Sequence, residues 1–362
     1  MDDRESVIAL NLVDTIGGAR LARLIERFGS ARDALLASEA ALRSVEGIGP
    51  VTAQKIAAVR DGRLLREELR AAAKLGVSIV TSSDPGYPER LHTIDHPPPV
   101  LYIKGTVLPS DGFSLAIVGS RRGSRYGRRA ARLLAAEAAV AGLTVVSGMA
   151  RGIDSEAHRA ALEHGGRTIA VLGCGVDVVY PPENAKLAQE IAGNGALVSE
   201  RSLGTRPLGR NFPARNRIIS GLALGVVVVE AGETSGSLIT AGFAADQGRE
   251  VFAVPGDIES PLSRGTHRLI KEGARLVEGI VDVLDELGIE ASCVERRGPK
   301  EAGPSLSARE KRVLGALGFS PASADDIVNE TGLAPRDVAV ALGSLELRGL
   351  VERSLDGYAR RS

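Results

Sequence analysis

The turn Gly119-Ser120-Arg121-Arg122-Gly123-Ser124-Arg125-Tyr126-Gly127 follows an apolar segment and opens a helical pattern. Its small hydroxyls, glycine amides and arginines are groups that bind phosphate at the start of a helix. The glycines are four residues apart, unlike the GxGxxG fingerprint, and no acidic residue ends the second strand to hold a ribose. The turn therefore predicts a phosphate site rather than an NAD site. The alternative is a structural βα turn with solvated arginines.

A second turn, residues 147–154, carries Arg151 and leads into a helix that contains Asp154 and His158. These two residues are four apart and share a helix face, so they could form an acid/base pair. We favour a structural interpretation, in which Asp154 caps the helix and His158 forms a hydrogen bond at the margin of the sheet. No recognisable motif places a serine or cysteine nucleophile, so we expect no enzymatic activity.

The third segment, residues 211–222, is the most informative. Phe212 is an aromatic residue in a chain with only 3% aromatic residues, and it lies between Arg210 and Arg215. Pro213 is suited to the first position of a helix. A ring among arginines can stack on an unpaired base while the cations bind its phosphate, which indicates single-stranded nucleic acid. The alternative is that Phe212 fills the core.

The distribution of charge supports a local positive surface. The 45 basic and 45 acidic residues cancel, which by itself argues against a strongly basic nucleic-acid binder. Two acid-free segments, between Asp111 and Glu137 and between Glu200 and Glu230, are nevertheless rich in arginine, and the fold could bring them together. Their arginines are Arg121, Arg122, Arg125, Arg128, Arg129, Arg132, Arg201, Arg206, Arg210, Arg215 and Arg217.

Length and composition limit the class of protein. A chain of 362 residues predicts two or three domains. No run of 18 apolar residues predicts a membrane span, and Met1–Glu5 lacks the features of a signal peptide, so we expect a cytoplasmic protein. Cys174 and Cys293 lie far apart without CxxC spacing, so we expect neither a disulfide nor a metal site, and no cofactor.

The middle of the chain alternates apolar strands with amphipathic helices. This pattern predicts an α/β fold with a doubly wound, mostly parallel, Rossmann-like sheet that helices cover on both faces. Predicted helices are residues 127–141, 155–164 and 238–247. Predicted strands are residues 115–118, 144–147, 168–172, 197–199, 226–230, 250–254 and 274–277, preceded by 78–82 and 100–104.

The flanking regions predict further domains. Residues 1–75 are predicted to form short helices, from apolar periodicity over 7–13, 19–28, 35–45 and 56–75. A helix-hairpin-helix-like (SAM-like) turn at Val45–Ile56 is either a phosphate contact or an ordinary helix pair. Residues 76–290 form the predicted Rossmann-like domain, and residues 291–304 a linker. Residues 305–362 are predicted to form a winged helix. The basic residues of its third helix are only Arg336 and Arg348. We therefore favour a protein contact or weak duplex binding over sequence-specific DNA recognition by this domain.

Six motifs occur in a fixed order over about 200 residues. They are Gly-Ser-Arg at 119–121 with Tyr126-Gly127, Ser-Gly-Met-Ala-Arg-Gly-Ile-Asp at 147–154 with Ala157-His158, Tyr-Pro-Pro-Glu-Asn at 180–184, Phe-Pro-Ala-Arg-Asn-Arg-Ile-Ile at 212–219, Ser-Gly-Ser-Leu-Ile-Thr-Ala at 235–241, and Val-Pro-Gly at 254–256. In this combination and order the chain resembles the DprA/Smf family of DNA-processing proteins. The resemblance implies a non-enzymatic protein that binds single-stranded DNA, forms a homodimer through the Rossmann-like domain and loads the recombinase RecA in natural transformation.

The family's DNA-contacting positions correspond by resemblance to Arg121, Phe212, Arg215 and Arg217. Together with neighbouring residues of the three segments they form a predicted DNA-binding set. It consists of Gly119, Ser120, Arg121, Ser124, Tyr126, Arg151, Arg210, Phe212, Arg215, Asn216 and Arg217.

The alternative function is a nucleotide-processing enzyme of the LOG or lysine-decarboxylase-like type. Such enzymes carry Pro-Gly-Gly-x-Gly-Thr-x-x-Glu after a strand, whereas this chain has Ala-Gly-Glu-Thr-Ser-Gly-Ser at 231–237. A P-loop is also missing, since no GxxxxGK[ST] occurs. The sequence therefore favours a binding protein.

Overall fold

The structure is a computed structural model that describes residues 1–289, 306–318, 321–347, 349–354 and 357–360. It divides into two compact units, Met1–Pro299 and Lys300–Ser362. The predicted linker 291–304 and Cys293 lie outside the described residues. The boundary predicted between residues 75 and 76 falls inside the first unit and stays a prediction.

The α-helices of the first unit are α1 (Asp3–Asn11), α2 (Gly18–Phe28), α3 (Ala31–Leu36), α4 (Glu39–Leu42), α5 (Pro50–Ala58), α6 (Arg63–Leu75), α7 (Arg125–Val140), α8 (Ile153–Glu163), α9 (Ala185–Asn194), α10 (Asn211–Leu222), α11 (Gly236–Asp246), α12 (Arg264–Lys271) and α13 (Ile280–Glu286). Its strands are β1 (Val77–Thr81), β2 (Val100–Gly105), β3 (Ser114–Val118), β4 (Thr144–Ser147), β5 (Thr168–Val171), β6 (Gly195–Ser199), β7 (Gly225–Val228), β8 (Glu250–Ala253) and β9 (Arg275–Leu276). Short 3₁₀ turns span Glu89–Thr93, Pro109–Gly112 and Pro182–Asn184.

These strands form one sheet in the order β1-β2-β6-β5-β4-β3-β7-β8-β9. The pairs β1–β2 and β2–β6 are antiparallel, and the pairs from β6 to β9 are parallel. The order β5-β4-β3-β7-β8-β9 is the 3-2-1-4-5-6 order of a Rossmann fold, with β6 added beside β5. The predicted fold class is confirmed.

Burial of both faces explains the continuous apolar strands. In β3, Leu115 and Ile117 pack against the core that includes α7 and α8, whereas Ala116 and Val118 pack against the core that includes α10 and α11. Side chains alternate between the faces of a strand, so a strand covered on both sides is apolar along most of its length. Most predicted strands agree with the structure to within two residues.

The N-terminal helices are shorter and more numerous than the predicted segments. The apolar pattern over 35–45 is broken at Ser38, whose side chain accepts from the Ala41 amide and starts α4. The pattern over 56–75 is broken at Gly62, which has φ +68° and separates α5 from α6. The helices share a core with one face of the sheet, since Leu10 and Leu24 belong to the same buried cluster as Tyr102 and Leu172.

The second unit has the predicted winged-helix elements. Its helices are α14 (Ala308–Ala316), α15 (Ala324–Thr331) and α16 (Pro335–Leu347), and its strands are β10 (Val351–Ser354) and β11 (Gly357–Arg360), which pair antiparallel. Val313, Ile327, Leu342 and Val351 meet in its core. No helix among the described residues is long and apolar enough to cross a membrane.

Candidate nucleic-acid interface

A cavity of about 460 Å³ opens at the carboxyl ends of β3 and β7, the central neighbouring strands of the sheet. The strand order reverses between these two strands, and ligands of doubly wound sheets bind at that point. The lining comes from the turns after β3 and β4, from α10 and from the start of α11. It includes Gly119, Ser120, Arg121, Arg122, Asp154, Phe212, Arg215, Asn216, Ser235, Gly236, Ser237 and Thr240.

The turn after β3 is organised by Glu230, a buried carboxylate just beyond β7. The Ser124 amide donates to Glu230 Oε2 at 2.8 Å, and the Ser124 hydroxyl donates to Glu230 Oε1. Ser124 also caps α7 by accepting from the Gly127 amide at 3.0 Å. A Cβ at Gly127 would lie 2.2 Å from the Glu230 carboxyl carbon, so only glycine fits there. The structure therefore gives Ser124 a structural partner rather than a free hydroxyl.

Phe212 lies at the cavity, partly buried. Its ring centroid is 5.5 Å from that of Tyr180, with the planes tilted by 43°. A Cβ at Gly173 would lie 3.0 Å from Phe212 Cδ1, so the missing side chain of Gly173 makes room for the ring. The ring therefore packs on one side and also lines an open cavity. This environment is intermediate between the two that the sequence allowed, a ring available to stack on a base and a ring that fills the core.

The two arginine-rich segments meet at this ring. The guanidinium carbon of Arg121, from the turn after β3, lies 5.6 Å from the ring centroid, and that of Arg215, from α10, lies 5.9 Å from it. Both distances are within the range of a cation–π contact. Arg121 is exposed, whereas Arg215 is only 4% exposed. A ligand would therefore meet one cation at the mouth of the cavity and the other at its floor.

Buried polar groups surround Arg215. Its Nη1 donates to the Gly148 carbonyl at 3.0 Å and to the Val171 carbonyl. Asp154 Oδ2 and Arg215 Nη2 both lie close to Gly148, 2.8 and 2.6 Å from the position that a Cβ would take there. Asp154 also accepts from the Ala150 amide at 3.3 Å. Burial raises the pKa of Asp154 to about 6, although the charge of Arg215 and nearby amides oppose the shift. The same burial lowers the pKa of Arg215, which still leaves the guanidinium charged at neutral pH.

Asp154 and His158 share a helix but are not in hydrogen-bond contact. His158 Nδ1 is 2.6 Å from Thr168 Oγ1 on β5, and its Nε2 has no hydrogen-bond partner in the described part of the chain. Burial lowers the pKa of His158 to about 3, so the ring is neutral. The contact of His158 with β5 agrees with its expected structural role. The expected cap is wrong: the N-cap of α8 is Gly152, Asp154 is the second residue of the helix, and no side-chain hydrogen bond caps it. No cluster of His, Cys, Asp and Glu among the described residues could hold a metal ion.

The start of α11 is a part of the cavity that the predicted set lacks. Ser235 caps this helix by accepting from the Ser237 amide, and Asn216 Nδ2 donates to the Gly236 carbonyl at 3.2 Å. Amides at a helix N-terminus attract anions. The sequence did contain a signal for this part of the cavity, because Ser-Gly-Ser at 235–237 opens a helical pattern directly after a strand. This segment has no basic residue, so the search for arginines did not find it.

Five predicted residues lie outside the cavity lining. The Tyr126 hydroxyl donates to the Pro255 carbonyl at 2.7 Å, and Ser124 is held by Glu230. Arg151 pairs with Glu183. Arg217 Nη2 pairs with Glu200 at 2.7 Å, and the arginine side chain is 13% exposed. Arg210 is exposed and precedes α10. Roles of these residues in DNA binding stay predictions.

Pro213 was expected as the first residue of a helix, and the structure corrects this. Helix α10 begins at Asn211, so Pro213 is its third residue. Proline is tolerated there because the first amides of a helix have no partner within the helix.

Comparison with known proteins gives family matches over most of the chain. The family model described as DNA recombination-mediator protein A matches residues 78–288, and a DprA winged-helix model matches residues 297–357. The chain is 34% identical to Protein Smf of a Synechocystis species over 96% of both chains. It is 46% identical to the DNA processing protein DprA of Streptococcus pneumoniae, over 56% of this chain and 72% of that protein.

Two solved structures are also similar. DNA processing protein A of Streptococcus pneumoniae matches with a TM-score of 0.69 and 36% identity, over 78% of this chain and 97% of that chain. DNA processing protein A of Helicobacter pylori, whose structure was described for its single-stranded DNA binding mode, matches with a TM-score of 0.53 and 32% identity. That match covers 58% of this chain and 95% of that chain.

Proposed function

The chain belongs to the DprA/Smf family of DNA-processing proteins, and from that premise we propose that it binds single-stranded DNA at the carboxyl edge of its parallel sheet. The observation that carries the proposal is the partly buried ring of Phe212, at a cavity, with Arg121 and Arg215 within 6 Å of it. Aromatic rings bind bases by stacking, and arginines bind the adjoining phosphates. The similar protein of Helicobacter pylori, described for its single-stranded DNA binding mode, supports the same ligand.

Each part of the site has a separate role in this proposal. An unpaired base stacks on Phe212. Arg121, which is exposed, contacts a phosphate of the same strand, and the amides at the start of α11 face the same cavity. Arg215 supplies a fixed positive charge at the floor, held by two backbone carbonyls.

This arrangement favours a single strand over a duplex. The bases of a duplex are stacked and paired, so removing one from the stack costs a few kcal/mol. An unpaired base enters the cavity without that cost. Single-strand affinity should therefore exceed duplex affinity at equal length and salt.

We further propose a biological role in DNA recombination, with RecA as a protein partner onto which bound single strands are passed in natural transformation. The description of the matching family as a recombination mediator supports this role. We also propose that the protein is a cytoplasmic homodimer that assembles through the sheet domain. Two cavities that act on one strand would raise avidity without new contacts. Sedimentation at micromolar concentration tests the dimer, and a monomer would contradict it.

We propose that the protein acts without catalysis. Among the described residues, Asp154 is the one carboxylate that lines the cavity; it accepts from the Ala150 amide and forms no hydrogen bond with His158. Incubation with nucleoside monophosphates tests this point. Release of free base would favour the LOG-type enzyme instead.

The central experiment is an equilibrium titration with single- and double-stranded oligonucleotides of equal length at several salt concentrations. Three to five phosphate contacts predict a slope of log affinity against log salt between about −2 and −4 for the single strand. A slope near zero, or tighter binding of the duplex, would refute the proposed function.

A further inference from the structure

The connection between β6 and α10, residues 200–210, carries cations beside the candidate site. Arg201 pairs with Glu200, whereas Arg206 and Arg210 are exposed and have no ion-pair partner in the described part of the chain. The connection runs directly into Asn211 and Phe212. The backbone conformation of this connection therefore determines the positions of Arg206 and Arg210 relative to the ring of Phe212.

Two carboxylates from distant parts of the chain hold this connection by successive backbone amides. The Leu203 amide donates to Glu68 Oε1 at 2.9 Å. The next amide, that of Gly204, donates to both carboxylate oxygens of Asp177, at 3.0 and 2.9 Å. Gly204 has φ +69°, a conformation that glycine adopts without strain. The centre of the connection is thus fixed from outside rather than by regular secondary structure.

One of these anchors comes from the N-terminal helices. Glu68 lies on α6, and the Leu203 side chain packs against the core that those helices share with the sheet. Burial raises the pKa of Glu68, and the hydrogen bond from the Leu203 amide opposes that shift. The carboxylate therefore loses hydration to make this contact, which links the N-terminal helices to the edge of the sheet that carries Phe212.

We propose that Glu68 and Asp177 are positioning residues for single-stranded DNA. They hold residues 200–210 so that Arg206 and Arg210 contact the phosphates of a strand whose base lies on Phe212. The N-terminal helices are then part of the DNA-binding machinery through Glu68. This inference rests on the proposed function.

The sign of the effect separates positioning from simple electrostatics. A carboxylate near a DNA surface repels phosphates, so its removal should tighten binding if charge alone matters. Positioning predicts the opposite for Glu68→Ala, because the Leu203 amide loses its acceptor. Glu68→Gln keeps an acceptor oxygen and removes the charge, so it should bind at least as tightly as the wild type.

The test is a fluorescence anisotropy titration of the full chain with a labelled oligothymidylate at several salt concentrations. Glu68→Ala should flatten the salt slope by up to about 1.4, since two phosphate contacts contribute about 0.7 each. The double substitution Arg206→Ala and Arg210→Ala should flatten it in the wild type and add nothing in the Glu68→Ala background. Glu67→Ala is the matched control, because Glu67 is an exposed neighbour on α6 that pairs with Arg63, and it should bind like the wild type.

The inference is overturned if Glu68→Ala binds as tightly as the wild type with the same slope, or if the arginine substitutions flatten the slope equally in both backgrounds. Should thermal melting show that Glu68→Ala does not fold, Asp177→Ala tests the same anchor through Gly204 and should flatten the slope. A wild-type chain without preference for single strands contradicts the proposed function itself. If the wild type shows the expected slope, and Glu68→Ala and Asp177→Ala bind with the same affinity and slope as the wild type, only the positioning role is contradicted.

Discussion

Replacement of Phe212 by alanine separates stacking from charge at the candidate site. Stacking of one base on an aromatic side chain contributes about 1 to 3 kcal/mol, which corresponds to single-strand affinity about 5-fold to 150-fold weaker in the variant. The salt slope should stay unchanged, because stacking releases no counterions. The assay is the anisotropy titration at several salt concentrations.

The stability of the Phe212→Ala variant can be worked out from its surroundings. The ring is partly buried and packs beside Tyr180 and Gly173. Its loss should therefore cost less than the 3 to 5 kcal/mol typical of a fully buried phenylalanine, about 2 kcal/mol of unfolding free energy.

Phe243 provides the matched control for this change. It is a partly buried phenylalanine on α11 that does not line the cavity. Phe243→Ala should lower the melting temperature comparably and leave DNA affinity at the wild-type value. Full affinity of folded Phe212→Ala, or a loss of affinity that comes with a flatter salt slope, would refute base stacking on this ring.

Other changes test the charges around the ring. Arg121→Ala should flatten the salt slope by about 0.7, because it removes one cation that contacts a phosphate. Arg217→Ala should change the slope little, because the Arg217 cation is already paired with Glu200. Equal changes of slope in the two titrations would contradict this distinction. Glu183→Gln releases Arg151 from its ion pair and should tighten single-strand binding with a steeper slope, so weaker binding would count against an available cation there. The fold raises the pKa of Asp154 from its ordinary value of 3.8 to about 6, so between these pH values the folded chain keeps a proton that the unfolded chain releases. Unfolding free energy should therefore fall as pH rises from 3.8 to about 6. Asp154→Asn should remove that decline in denaturant titrations, and an unaltered pH profile would show that burial does not perturb this carboxyl.

Much of the fold follows from local pattern. Strands β3 to β8 are apolar at their central positions because helices cover both faces of the sheet, so these apolar runs could be predicted without tertiary information. The sequence also brought Gly119, Arg121 and Phe212 into one predicted set, and the structure places all three at one cavity near the carboxyl ends of strands. Their role in binding DNA stays a prediction. Breaks such as Ser38 and Gly62 were missed because helical periodicity runs through them.

The pairing of charges could not be predicted, because it depends on contacts between distant segments. Arg217 and Arg151 were expected as phosphate cations, yet each has a carboxylate partner, Glu200 and Glu183. An acid-free stretch of sequence does not exclude an acid at its boundary or from another loop. The role of Glu230 in ordering the turn after β3 was hidden for the same reason, since more than a hundred residues separate it from Ser124.

Photocrosslinking shows directly whether an unpaired base lies on Phe212. A single-stranded oligonucleotide containing 5-iodouracil is irradiated in complex with the full chain, and the attached peptide is identified by mass spectrometry. The predicted result is attachment within residues 211–217 at Phe212, lost in Phe212→Ala and retained in Phe243→Ala. Attachment confined to the winged-helix unit, or unchanged in Phe212→Ala, would show that the base does not lie on this ring.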